Sequence, residues 1–199
     1  MGTEAKDREL TTEIANLFPR QGEWTERHYF SLPDTNHVME LSNGRLIMPP
    51  HLTNRHQVTV LEIAVRLRAF VRESRLGEVR VAPLPVRLWP GKVREPDVFF
   101  VAKEHEDRIG EQQCGVPDLI VEVLSPGTRD TDRGEKSLEY AQAGVQEYWI
   151  ADPEDRTVEV YVLRGQTFEP HEKFESTDIL TSPLLSGFEA SIDPLFAVR

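Results

Sequence analysis

Glu122 stands in Asp118-Leu-Ile-Val-Glu-Val-Leu124, an otherwise apolar run. Read as a strand, the run points Leu119, Val121 and Val123 one way and Ile120, Glu122 and Leu124 the other, so both faces are apolar and the strand is central. An ionised carboxylate there must be paired with an Arg or Lys, protonated, or bound to a cation, because leaving it alone is costly. Asp97 opens a second apolar run, Val98-Phe-Phe-Val-Ala102, expected to lie buried beside the first. Two carboxylates projecting from neighbouring central strands repel unless a cation sits between them. Mg²⁺ suits the pair, since it takes one or two carboxylates, keeps several waters and completes its shell with phosphate oxygens, and Mn²⁺ is its natural substitute. The chemistry this points to is that of a divalent ion acting on a phosphate group.

The elements that must position these acids follow from pattern and punctuation. Residues 1–36 read as a polar N-terminal extension with one short helix near Leu10 to Leu17. His37 to Met48 reads as a hairpin across Asn43-Gly44, two residues that tolerate positive φ. Thr53 or Asn54 caps a helix running to about Ser74, with apolar rows at Val58, Leu61, Val65, Ala69 and at Ile63, Leu67, Phe70; Gly77 is its expected stop. Two extended runs follow, Glu78 to Leu88 and Arg94 to Ala102, and then a charged surface loop from Lys103 to Pro117. After the Glu122 strand, a helix fits Asp132 to Ala143, with Asp132 and Glu135 at capping-box spacing and Gly144 as its end. Glu147 to Ala151 and Thr157 to Leu163 read as a hairpin, and Thr167 to Glu175 as a last extended run. Consecutive strands between helices predict an α/β fold, a central mixed β-sheet flanked by helices, in one domain over residues 1–199 with 37–195 as its body.

Composition narrows the classes. The chain has 199 residues, 39% hydrophobic and 29% charged, enough for a core and too balanced for disorder. Its longest apolar run, Val98 to Ala102, is far too short for a membrane span, and Met1 to Leu10 shows no secretory pattern, so a cytoplasmic location is expected. Cys114 is the only cysteine and excludes an internal disulfide. The net charge of −11 is carried by the second half, so non-specific attraction to nucleic acid does not follow from composition.

Pro96-Asp97, then Glu122 on the following strand, then a helix, resembles the PD-(D/E)XK nuclease superfamily. More closely, Glu40-Leu-Ser-Asn-Gly-Arg-Leu46, Glu95-Pro-Asp-Val98, Pro117 to Pro126, Gly134-Glu-Lys136 and Tyr140 to Trp149 resemble the Uma-two group of restriction-endonuclease-like proteins, over about residues 25–195. The resemblance implies a restriction-endonuclease-like fold with an added N-terminal hairpin, and a Mg²⁺-dependent endonuclease acting on DNA. It makes Asp97 and Glu122 the metal ligands and, with Lys136 and Glu40, the catalytic set. The superfamily's lysine, two residues after the acid, is replaced here by Leu124; the resemblance offers Lys136, on the next helix, in its place. His56, in the first turn of the long helix, and Arg129, after the Glu122 strand, are placed within reach of substrate, although both residue types there also serve as caps or solvated side chains. A homodimer is expected for an enzyme that cuts both strands. The competing reading is a catalytically inactive nuclease-fold protein that acts as a binding or regulatory module, which Leu124 and the acidic balance favour. A carboxylate-pair sugar hydrolase is a third possibility, with no sugar platform to support it.

Overall fold

The computed structural model describes residues 18–33, 37–49 and 52–197; the helix expected near Leu10 to Leu17 lies outside them. Helix α1 (Glu26–Phe30) opens with Thr25 as its cap. Strands β1 (Glu40–Ser42) and β2 (Arg45–Ile47) form the expected hairpin, with Asn43 and Gly44 at φ 51° and 73°, as a two-residue turn of this hand demands. The hairpin does not stand apart. It pairs through β1 with β5 (Lys92–Arg94), which also pairs with β4 (Val86–Trp89), giving a small sheet in the order β2-β1-β5-β4.

Helix α2 (Asn54–Ser74) begins where Thr53 Oγ1 accepts the His56 amide and ends at Arg75 in the left-handed region, two residues before Gly77. Its buried row is His56, Thr59, Ile63, Ala64, Leu67 and Val71, whereas Leu61, Val65 and Ala69 face solvent. Both rows have helical spacing, and only contact with the sheet selects between them.

The extended runs around residues 78–102 each divide. Glu78 to Leu88 splits into β3 (Gly77–Val81) and β4, and the following run splits into β5 and β6 (Val98–Ala102), one piece of each in a different sheet. The chain therefore passes from the small sheet to the large one within Glu95-Pro96-Asp97. The large sheet adds β7 (Leu119–Val123), β8 (Glu147–Asp152), β9 (Thr157–Arg164) and β10 (Thr167–Phe174), in the order β10-β9-β8-β7-β6-β3. Only β7 and β8 run parallel, so a crossover must join them. That crossover is helix α3 (Arg129–Thr131), a π-helical turn (Asp132–Lys136) and helix α4 (Ser137–Ala143). It starts earlier than the capping pattern suggests, and Asp132 lies inside it rather than at its cap.

Alternation along the central strands then sorts the core. Val98, Phe100, Leu119, Val121 and Val123 pack under α2, and Phe99, Ile120, Leu124, Tyr148 and Ile150 pack with Tyr140 of α4. The stretch expected as a loop contains a 3₁₀ helix (Lys103–Arg108), and Cys114 is buried, bridging Val86 and Ile109 rather than lying in a polar surface loop. Strands β11 (Ile179–Thr181) and β12 (Glu189–Ser191) and the 3₁₀ turn Asp193–Phe196 close the α2 side. No helix among the described residues is long and apolar enough to cross a membrane.

Candidate active site

Antiparallel register brings the two central acids together. Val98 pairs with Val121, so one step outward sets Asp97 opposite Glu122. Asp97 Oδ2 accepts the Val123 amide at 2.8 Å, tying the end of one strand to the other. His56 Nε2, from the first turn of α2, lies 3.2 Å from the same oxygen, and its buried Nδ1 has no hydrogen-bond partner.

Glu122 Oε1 accepts from Lys136 Nζ at 3.0 Å and from the Tyr140 hydroxyl at 2.6 Å. Lys136 and Tyr140 lie one helical turn apart, so both reach the same carboxylate. The π turn ends at Lys136; such turns re-aim side chains and recur at functional sites. Leu124, where the resemblance leads one to expect a lysine, is buried in the apolar cluster with Tyr140 and Tyr148. The ammonium therefore arrives from the helix instead of the strand.

Lys136 Nζ also lies 3.1 Å from Asp132 Oδ1 and 3.3 Å from Glu40 Oε1. Glu40, on the hairpin, is buried rather than solvated because Arg94 Nη1 donates to its Oε2 at 2.8 Å. Arg94, itself wholly buried, donates further to Glu135 at 2.9 Å and to Glu139 at 2.8 Å, and Lys92 joins Glu139 and Ser42. This ion network fastens the small sheet to α4.

Burial drives the Glu122 carboxyl well above the usual carboxylate range against the pull of Lys136, and the neighbouring charges of Asp132 and Asp97 add to the rise. Burial also raises Asp132. Glu40 moves the other way, since Lys136 and Arg94 together outweigh its burial and hold it low. Lys136 is buried too, a condition that favours the neutral amine, yet Glu122 and Glu40 keep it charged, well above the ordinary lysine value.

Asp97, Glu122, Glu40, Lys136 and His56 thus line one cleft of about 580 Å³. Arg129 does not share it. It donates to Asp152 at 2.7 Å and borders an adjoining depression with Thr53 and Arg55. Three groups escape a reading by motif, two lining the cleft and one, Tyr140, buried behind it. Asp132 passes for a helix cap. Tyr140 passes for a core aromatic, although its spacing from Lys136 is a usable signal. Glu95 has its Oε1 held by the Tyr29 hydroxyl at 2.8 Å and its Oε2 buried without a partner; burial pushes its pKa up to about 7.

Among the described residues, no three His, Cys, Asp or Glu side chains close into a metal cage. The protein donor set is a pair of carboxylates, which is what Mg²⁺ takes when water and substrate phosphate supply the remaining oxygens. The contacts of Asp97 and Glu122 use one oxygen of each, Oδ2 and Oε1. The residues present fit such an ion.

Over residues 27–194 the chain matches the family model described as "Uma2: Putative restriction endonuclease", and it belongs to that family. The family sets its class as a restriction-endonuclease-like nuclease. Among solved structures it is similar to a "putative nuclease belonging to DUF820" from Anabaena variabilis, at 24% identity over 86% of this chain and 97% of that one, with a TM-score of 0.72. That likeness is one of fold. No curated protein matches the chain.

Proposed function

We propose that the protein is a Mg²⁺-dependent endonuclease that hydrolyses phosphodiester bonds of DNA. The observation that carries this reading is the convergence of Asp97, Glu122 and Lys136, from three separate elements, on one cleft. Asp97 and Glu122 are the residues that would hold the ion, which when bound supplies Lewis acidity to a phosphate oxygen and acidity to a bound water. The Val123 amide and His56 fix the orientation of Asp97, and Tyr140 fixes that of Glu122.

Lys136 is the cation available to the charge that develops on the phosphoryl group. Its ammonium has three donors, and it stands within ion-pair distance of three carboxylates. Glu40 is the partner it can release, because that contact is the longest and Arg94 neutralises Glu40 independently. A scaffold that binds without cutting is the second reading, favoured by the same saturation of Lys136.

The purified protein is expected to nick or degrade DNA with Mg²⁺ or Mn²⁺, and to stop with EDTA or with Glu122→Gln. Calorimetry should show a Mg²⁺ binding heat that Glu122→Gln removes. Activity retained in both Asp97→Ala and Glu122→Ala would overturn the assignment. Metal binding without cleavage of any DNA would favour the binding scaffold.

A further inference from the structure

We infer that the preferred substrate is single-stranded DNA, whose unpaired base next to the scissile phosphate rests on the apolar wall of the cleft formed by Val38, Met48, Pro49 and Leu52. This rests on the nuclease reading above and specifies its substrate.

Depth comes first. Asp97, Glu122, Lys136 and His56 are all buried at the base of the cleft, while Met48, at its mouth, is 68% exposed. The volume of about 580 Å³ falls in the range, about 300–1,000 Å³, of clefts that enclose one small ligand. A duplex is a broad, stiff cylinder and must be distorted to lower a phosphate into such a cleft. A single strand bends at every nucleotide and can lower one phosphate to the acids.

The lining chemistry points the same way. Five carboxylates line the cleft (Glu40, Glu95, Asp97, Glu122 and Asp132), and Lys136 is its one Lys or Arg among the described residues. In the adjoining depression Arg129 is already engaged by Asp152 and Glu154, which leaves Arg55 as the basic group on that side. Duplex binding depends on a row of cations along the phosphate track, and the described residues of this chain, whose net charge is −11, place no such row at this mouth. What the mouth offers instead is apolar surface. An unpaired base can cover such a surface, whereas a paired one reaches it only after unstacking and flipping.

The test compares a short single-stranded oligonucleotide with the same strand annealed to its complement, using the full-length protein and Mn²⁺ for cleavage. Binding is measured in parallel by fluorescence anisotropy with the Glu122→Gln protein. The single strand should be cut and bound about a hundredfold better, the cost of unpairing a base being what the duplex adds. The log–log salt slope of single-strand binding should be small, of magnitude about 1 to 2. Met48→Ser and Leu52→Ser should each raise KM for the single strand with little change in kcat. Equal or better cutting of the duplex overturns the inference and leaves the nuclease assignment intact. Failure to cut either substrate, with no strand preference in binding, overturns both.

Discussion

Lys136 Nζ and Glu122 Oε1 lie 3.0 Å apart although 14 positions separate them in the chain, one on the helical crossover and the other on the strand before it. The lysine is the counter-ion of a buried acidic trio, and Leu124, two residues beyond Glu122, supplies no charge to it.

Removing it exposes the cost of that trio. Lys136→Met leaves Glu122 and Asp132 buried and uncompensated, and should destabilise the protein by about 3–5 kcal/mol in urea unfolding at neutral pH. Adding Glu122→Gln should recover part of the loss, because one of the stranded buried acids is then gone. A double variant as unstable as the sum of the two single variants would show that the pair is not coupled.

Arg94→Met should be at least as damaging, about 3–5 kcal/mol, since a single buried guanidinium serves Glu40, Glu135 and Glu139. The pH dependence should change as well. Glu40 titrates below its ordinary value of 4.5 in the folded protein, so its contribution is present above that value and is lost as pH falls through the depressed folded one. Unfolding curves of Arg94→Met across the acid range should have a weaker acid limb than the wild type.

Glu147 gives the opposite sign. It is buried on β8, accepting from the Trp149 indole at 2.6 Å, the Ser182 hydroxyl at 2.7 Å and the Leu184 amide at 2.7 Å. Burial nevertheless raises its pKa above the ordinary 4.5. The folded protein then holds a proton the unfolded chain has released, so stability falls as pH rises from about 4.5 to the raised value. Glu147→Gln cannot titrate. Its stability relative to wild type should therefore improve across that window, as measured by urea midpoints at a series of pH values.

Some of this architecture is legible from residue order, and the reasons are local. Glu122 betrays itself because a carboxylate breaks an apolar alternation, and Asn43-Gly44 because few dipeptides accept that turn. The face of α2 is not legible. Val58, Leu61, Val65 and Ala69 have the right spacing, but the buried row includes His56 and Thr59, which a count of apolar residues passes over. The runs around residues 78–102 look continuous because extended segments of two sheets share one composition. Arg94 shows no local signal at all, since its partners lie 41 to 54 positions away.

The passage through Glu95-Pro96-Asp97 has a practical consequence. Arg94, Glu95 and Asp97 each grip a different part of the molecule within four residues, so lengthening the chain there would pull the carboxylates out of alignment. The tip at Gly165, between β9 and β10, is solvent-exposed and remote from these contacts. It is the place to splice in a fluorescent tag or an affinity handle while leaving the chemistry undisturbed.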